Sequence, residues 1–160
     1  MIIAYYGRGK GKTSAGIGSY IRAVGSGMKG AVIHLFKTSS SEDKLLKDVG
    51  EVYFYNTGKW IEHSKDDREI VEHSIAKAYM LIDKGIEVLF IDEILTGLYF
   101  QLLSVTTLEE IFKRAGRTLL IVTGICFPDS LRSYVDILSE VCFMKHPFEV
   151  GLLPVKGVEF

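Results

Sequence analysis

Two stretches of this sequence hold residue types that could do chemistry together. The first is Gly7-Arg8-Gly9-Lys10-Gly11-Lys12-Thr13-Ser14. It follows the charge-free run Ile2–Tyr6 and opens a helix-like segment. Glycines let main-chain N–H groups converge on phosphate oxygens without Cβ clashes, and a helix N-terminus adds its dipole. Lys12 offers positive charge to a phosphate and the Thr13 hydroxyl offers a ligand to Mg2+, so the spacing resembles a phosphate-binding P-loop. The usual first glycine falls at Tyr6, which makes this version shifted and tighter. A dinucleotide-binding G-x-G-x-x-G pattern fails, because its third glycine would be Lys12. The second stretch is Val88-Leu-Phe-Ile-Asp92-Glu93, an acid pair closing an apolar run. Alone it reads as a helix-capping acid after a strand. Beside a P-loop, Asp92 and Glu93 become the groups that hold Mg2+ or orient a nucleophile. Together the stretches call for a nucleoside triphosphate with Mg2+ and leave hydrolysis, phosphoryl transfer, and nucleotidyl or adenosyl transfer all open.

Such residues need a scaffold that brings distant segments to one edge, and the chain alternates strand-like and helix-like segments in the way that provides one. Strands are expected at Ile2–Tyr6, Ala31–Phe36, Val52–Tyr55, Val88–Ile91, Leu119–Thr123 and Ile137–Phe143. Helices are expected at Lys12 to about Val24, after Ser39–Ser41, at Asp66–Lys84, at Ile94–Leu103, at Thr107–Ala115 and, shorter, at Pro128–Tyr134. Ser64 with Asp67 marks the start of the third of these, and Val71, Ile75, Ala78 and Ile82 then share one face. Thr107 with Glu110 reads as a second cap signal. Charge-free strands separated by helices imply an α/β fold: a mostly parallel sheet flanked by helices on both faces, as one domain over residues 1–160. Ligands in such sheets sit outside the carboxyl ends of the strands. Gly7–Thr13, His34–Thr38, Asp92–Glu93 and Thr123–Pro128 should therefore share one edge.

Composition narrows the class further. With 160 residues, 48% apolar and 24% charged, the chain can bury about 70% of its unfolded surface without a disulfide or metal staple. A net charge of −1, from 19 basic and 20 acidic residues, gives no electrostatic footprint for nucleic acid or membranes. Two cysteines, Cys126 and Cys142, make no disulfide framework and read as buried thiols in a reducing cytoplasm. The opening apolar run is too short for a signal peptide. His34, His63 and His73 lack metal-ligand spacing. His34, at a strand end, reads equally as a nucleotide contact or an ordinary histidine. Gly16 and Gly18 inside the first helix are best explained by close packing on the sheet.

Further motifs resemble one family. Gly9-Lys-Gly-Lys-Thr-Ser14 followed by Arg22-Ala-Val-Gly25-Ser-Gly27-Met28 looks like the start of the P-loop ATP:corrinoid adenosyltransferases. His34-Leu-Phe-Lys37 sits where that family has Gln-Phe-x-Lys, and Trp60, the acidic helix after it and Asp92-Glu93 also fit. Most specific are Asp136-Ile-Leu-Ser-Glu140, Lys145-His146-Pro-Phe148, Gly151 and Gly157-Val-Glu-Phe160. The likeness runs through the whole chain. Gly58, Leu95 and Ile125 depart from the family's loop aromatic, Asn and Arg, and the sequence opens at its first strand, where the family carries an extension over the corrinoid site.

The resemblance implies a P-loop NTPase (RecA-like) architecture and transfer of the 5′-deoxyadenosyl group of ATP to Co(I) of a corrinoid, with release of triphosphate. It implies Gly7 to Ser14 as the ATP contact, and Lys12 and Glu93 as catalytic. It implies Thr13, Asp92 and Glu93 around Mg2+, and Trp60, Lys145 and His146 on the corrinoid side. It further implies a homodimer, a cytoplasmic location and a flavoprotein reductant as partner, with no nucleic acid or membrane partner. The alternatives are a P-loop ATPase or small-molecule kinase without corrinoid chemistry, and a non-enzymatic ATP- or corrinoid-binding protein.

Overall fold

The computed structural model describes residues 1–56, 61, 64–145, 151 and 157. In chain order its elements are β1 (Ile2–Tyr6), α1 (Lys12–Gly25), β2 (Gly30–Leu35), α2 (Asp43–Val49), β3 (Glu51–Tyr55) and α3 (Lys65–Asp83). They continue with β4 (Val88–Asp92), α4 (Ile94–Tyr99), α5 (Val105–Ala115), β5 (Leu119–Gly124), a 3-10 turn (Asp129–Tyr134) and β6 (Ile137–Glu140). The strands form one six-stranded sheet in the order β3-β2-β4-β5-β1-β6, and every pairing is parallel.

Alternation along each strand divides the core into two layers. Ile2, Ala31, Ile33, Leu35, Leu89, Ile91, Leu120 and Val122 face α3, α4 and α5. Ile3, Val32, Val88, Phe90 and Ile121 face the other way, against Tyr20 and Ala23 of α1 and Leu46 of α2. The central strands β2 and β4 are buried along their whole length. This is why they carry uninterrupted apolar runs instead of alternating polar positions.

The α/β architecture with helices on both faces is as expected, and the differences lie at element ends. The expected helix Ile94–Leu103 stops at Tyr99, because Gln101 takes a left-handed φ of 56°. Leu102 and Leu103 are buried by the turn that follows instead. The cap of α5 is Ser104, whose hydroxyl accepts from the Thr107 N–H at 3.0 Å. The Ser64–Asp67 capping box of α3 forms in both directions. β6 ends at Glu140. Cys126 is half-buried and Cys142 exposed, so the expectation of two buried thiols fails. Among the described residues no helix is long and apolar enough to cross a membrane.

Gly16 is where α1 meets the sheet. A Cβ there would stand 2.6 Å from the Phe90 ring and 3.2 Å from Thr123 Cγ2, whereas one at Gly18 would meet nothing within 4 Å. The packing explanation therefore holds for Gly16 and not for Gly18. Replacing an exposed helical glycine by alanine gains up to about 1 kcal/mol, and overfilling a packed core costs about 1–3 kcal/mol. In denaturant unfolding, Gly18→Ala is expected to stabilise the protein and Gly16→Ala to destabilise it. Equal shifts for the two would show that α1 does not lie this close to Phe90.

Candidate active site

The carboxyl edge of the sheet gathers the residues with chemistry. β1 ends at Tyr6 and the chain turns through Gly7 at φ 118°, which L side chains rarely adopt. The Gly7 N–H donates to the carbonyls of Gly124 and Ile125, both at 3.1 Å, and the Gly9 N–H donates to the Val141 carbonyl at 2.7 Å. Both amides are thus spent on fixing the loop between β5 and the end of β6. Gly11, at φ 112°, then starts α1 with no side-chain cap and no acidic residue in the first turn. The helix's leading N–H groups and its dipole are left directed at the edge, the arrangement that favours an anion. Arg8, Lys10 and Ser14 are exposed around this loop, while Lys12 and Thr13 are half-buried. Lys12 Nζ folds back to the Gly9 carbonyl at 2.9 Å.

Asp92, at the end of β4, has no solvent exposure. Four groups hydrogen-bond to it. Thr13 Oγ1 donates to Oδ1 at 3.0 Å and Thr123 Oγ1 to the same oxygen at 2.6 Å. Lys37 Nζ donates to Oδ2 at 2.6 Å, and His34 Nδ1 lies 3.0 Å from the same oxygen. An ionised carboxylate only accepts, so His34 carries its proton on Nδ1. Burial alone would push Asp92 up, but the His34 hydrogen bond and the Lys37 charge outweigh it and hold the acid well below the usual carboxylate range. Burial likewise pulls Lys37 down, and Asp92 more than offsets this, so Lys37 stays charged.

Glu93 behaves oppositely. It takes a left-handed φ of 65°, its N–H donates to Thr123 Oγ1 at 2.9 Å, and its carboxylate accepts from the Thr96 hydroxyl. Burial, and then the adjacent Asp92 charge, raise its pKa above the ordinary value. Two neighbouring acids thus differ in character: one is locked as an anion and the other takes up a proton more readily.

The structure brings together Gly7 to Thr13, Asp92 and Glu93. Lys145 is exposed beyond β6, and Trp60 and His146 lie outside the described residues. Leu95, one of the departures from the family pattern, is fully buried and packs beside Gly124 at the end of β5. The segments His34–Thr38 and Thr123–Pro128 lie at this edge as expected, but the sequence does not show that His34, Lys37 and Thr123 all converge on Asp92. The signal for His34 was the parallel register, which sets it opposite Asp92 across β2 and β4. Its Nε2 points to Asp43 Oδ1 at 3.4 Å, and Asp43 in turn accepts from the Ser40 hydroxyl at 3.0 Å.

Comparison with known proteins covers the whole chain. A family model described as ATP:corrinoid adenosyltransferase BtuR/CobO/CobP matches residues 1–160. A corrinoid adenosyltransferase of a Sinorhizobium species is 31% identical over all of this chain and 80% of its own length. That of Escherichia coli K12 is 28% identical over all of this chain and 85% of its own. Among solved structures, the genome packaging NTPase B204 of Sulfolobus turreted icosahedral virus 2, in complex with ATP-gammaS, overlaps at a TM-score of 0.49 and 16% identity, covering 94% of this chain and 78% of that one. With the whole chain matched, and its loop and acid pair at the expected edge, this protein belongs to the ATP:corrinoid adenosyltransferase family.

Proposed function

We propose that this chain, as a single P-loop domain, transfers the 5′-deoxyadenosyl group of ATP to the Co(I) centre of a corrinoid and releases triphosphate. The observation that carries the reading is the contact of Thr13 with Asp92 beneath an uncapped helix, within a chain that the family matches from end to end. Co(I) is a nucleophile that carries no proton, so the attack on C5′ needs no general base. The protein's task reduces to positioning and to stabilising charge on the leaving triphosphate.

Lys12 would leave the Gly9 carbonyl for phosphate oxygens, and the N–H groups opening α1 would hold the same charge. Arg8 and Lys10 add exposed positive charge at the rim, while Gly7 and Gly9 keep the loop's shape. Thr13, Asp92 and Glu93 would hold Mg2+. They suit a cation, because the Lys37 ammonium already lies against Thr13 Oγ1 at 2.9 Å and Asp92 Oδ2 at 2.6 Å. Bound there, Mg2+ supplies positive charge against the triphosphate. Trp60, Lys145 and His146 are assigned to the corrinoid side, with Trp60 packing on the lower face. A homodimer, a cytoplasmic location and a flavoprotein that reduces cobalt belong to the same reading.

An anaerobic incubation with Mg-ATP and chemically reduced corrinoid should yield triphosphate and a light-sensitive adenosylcorrinoid in equal amounts. Phosphate or ADP with unchanged corrinoid would move the protein to the ATPase or kinase class. Lys12→Ala should weaken Mg-ATP binding by about a hundredfold or more, since it strips a charge partner from the triphosphate; normal binding by calorimetry would refute the loop assignment. Trp60→Ala should lower corrinoid adenosylation and spare ATP binding, and equal loss of both would argue against its role. Glu93 adds a dependence on pH. Its raised pKa means that its contribution to stability is fully present below about 4.5, the unfolded value, and is lost as pH rises through the folded one. Glu93→Gln, neutral throughout, should melt higher than the parent at pH 7, with the gap closing toward pH 4. A gap independent of pH would mean that Glu93 is not strained by its charge.

A further inference from the structure

The carboxylate of Asp92 is full. A carboxylate has about four acceptor sites, and Thr13, Thr123, His34 and Lys37 take one each. The Thr13 hydroxyl is committed as well: it donates to Asp92 and accepts from Lys37 at 2.9 Å. A divalent cation that uses either oxygen must displace a partner. Thr123 cannot leave readily, because it is fully buried and its oxygen also accepts the Glu93 N–H. His34 is fully buried too, stacked on the Phe54 ring with centroids 5.4 Å apart and facing Asp43 on its other nitrogen. Thr13 is itself one of the ligands. Lys37 is the exception, with a side chain 30% exposed and a long flexible stem. Its backbone is held in place by Asn56 Nδ2, which donates to the Lys37 carbonyl at 2.9 Å, and by the left-handed Phe36 at φ 62° just before it. Only the side chain has freedom to withdraw.

We infer that the Lys37 ammonium and the divalent cation are alternative occupants of one pocket between Thr13 and Asp92, so that cation entry requires Lys37 to swing out. The protein thereby carries its own competitor for the metal. Lys37 keeps the buried anion neutralised when no cation is present, and it sets a threshold that a free cation must overcome. The inference rests on the cation site proposed above, and the test separates the two.

The probe is Mn2+ alone, followed by electron paramagnetic resonance on the full chain. Lys37→Met should bind Mn2+ at least about tenfold more tightly than the parent, because an ammonium in contact with the site is removed. Lys37→Arg, which keeps the charge, should not tighten binding. A second measurement needs no variant: in the parent protein, Mg2+ should shift the Lys37 side-chain NMR signals saturably as the ion pair with Asp92 opens. Equal Mn2+ affinity in parent and Lys37→Met, or Lys37 signals unmoved at saturating Mg2+, would overturn the competition and leave the cation site standing. Failure of Mn2+ to bind either protein, with or without ATP, would overturn the cation site and the competition with it.

Discussion

A carboxylate cut off from water must be satisfied by the protein around it, and Asp92 is satisfied from four directions. Its partners come from the first turn of α1, the end of β2, the segment just beyond β2 and the end of β5. Breaking a buried charge pair by removing one partner typically costs about 3–5 kcal/mol. The geometry of the whole carboxyl edge is therefore tied to this one anion. The register of β2 on β4 puts His34 opposite it. The approach of α1, permitted by the missing side chain at Gly16, brings Thr13 to it. The order β2-β4-β5-β1 keeps all these strand ends within reach.

That arrangement suits a reaction in which no proton moves at the nucleophile. Both acids of the pair, Asp92 and Glu93, are already hydrogen-bonded within the protein. Asp92 is saturated and held ionised, while burial and the Asp92 charge raise the pKa of Glu93, which accepts from Thr96. What the edge offers is positive charge and N–H groups. In the proposed reaction Lys12 and the opening of α1 would serve the anionic leaving group, while Lys37 neutralises Asp92. The glycines nearest the strand, Gly7 and Gly9, spend their amides on structure, so the proposed reading gives the phosphates to the N–H groups that open α1.

Much of this could be read in advance, for physical reasons. Buried parallel strands have to be apolar throughout, which made Gly30–Leu35 and Val88–Asp92 visible. A glycine-rich turn between a strand and a helix has few purposes, which made the loop visible. Other features depend on contacts far apart in sequence. Lys37 belongs to a segment expected at the ligand edge, but nothing local says that Phe36 adopts a left-handed turn that sends it toward Asp92. Ser104 gives no capping-box signal, because Thr107, and not an acid, stands at the third position of α5. The apolar run through Leu103 continued past the true end of α4, because a buried turn needs the same residues as a buried helix.

The clasp between Gly9 and Val141 has a consequence for how the molecule is made. β1 precedes the other described strands in the chain, yet its neighbours in the sheet are β5 and β6, the last two of those described. The loop that follows β1 is fixed by main-chain bonds to Gly124, Ile125 and Val141. These are long-range closures, which form slowly compared with local ones. A nascent chain that has delivered its glycine loop to solvent does not yet own a phosphate site. It must wait for some 130 further residues before that loop has anything to lean on, so a nucleotide held by it would stabilise only a chain already made through Val141.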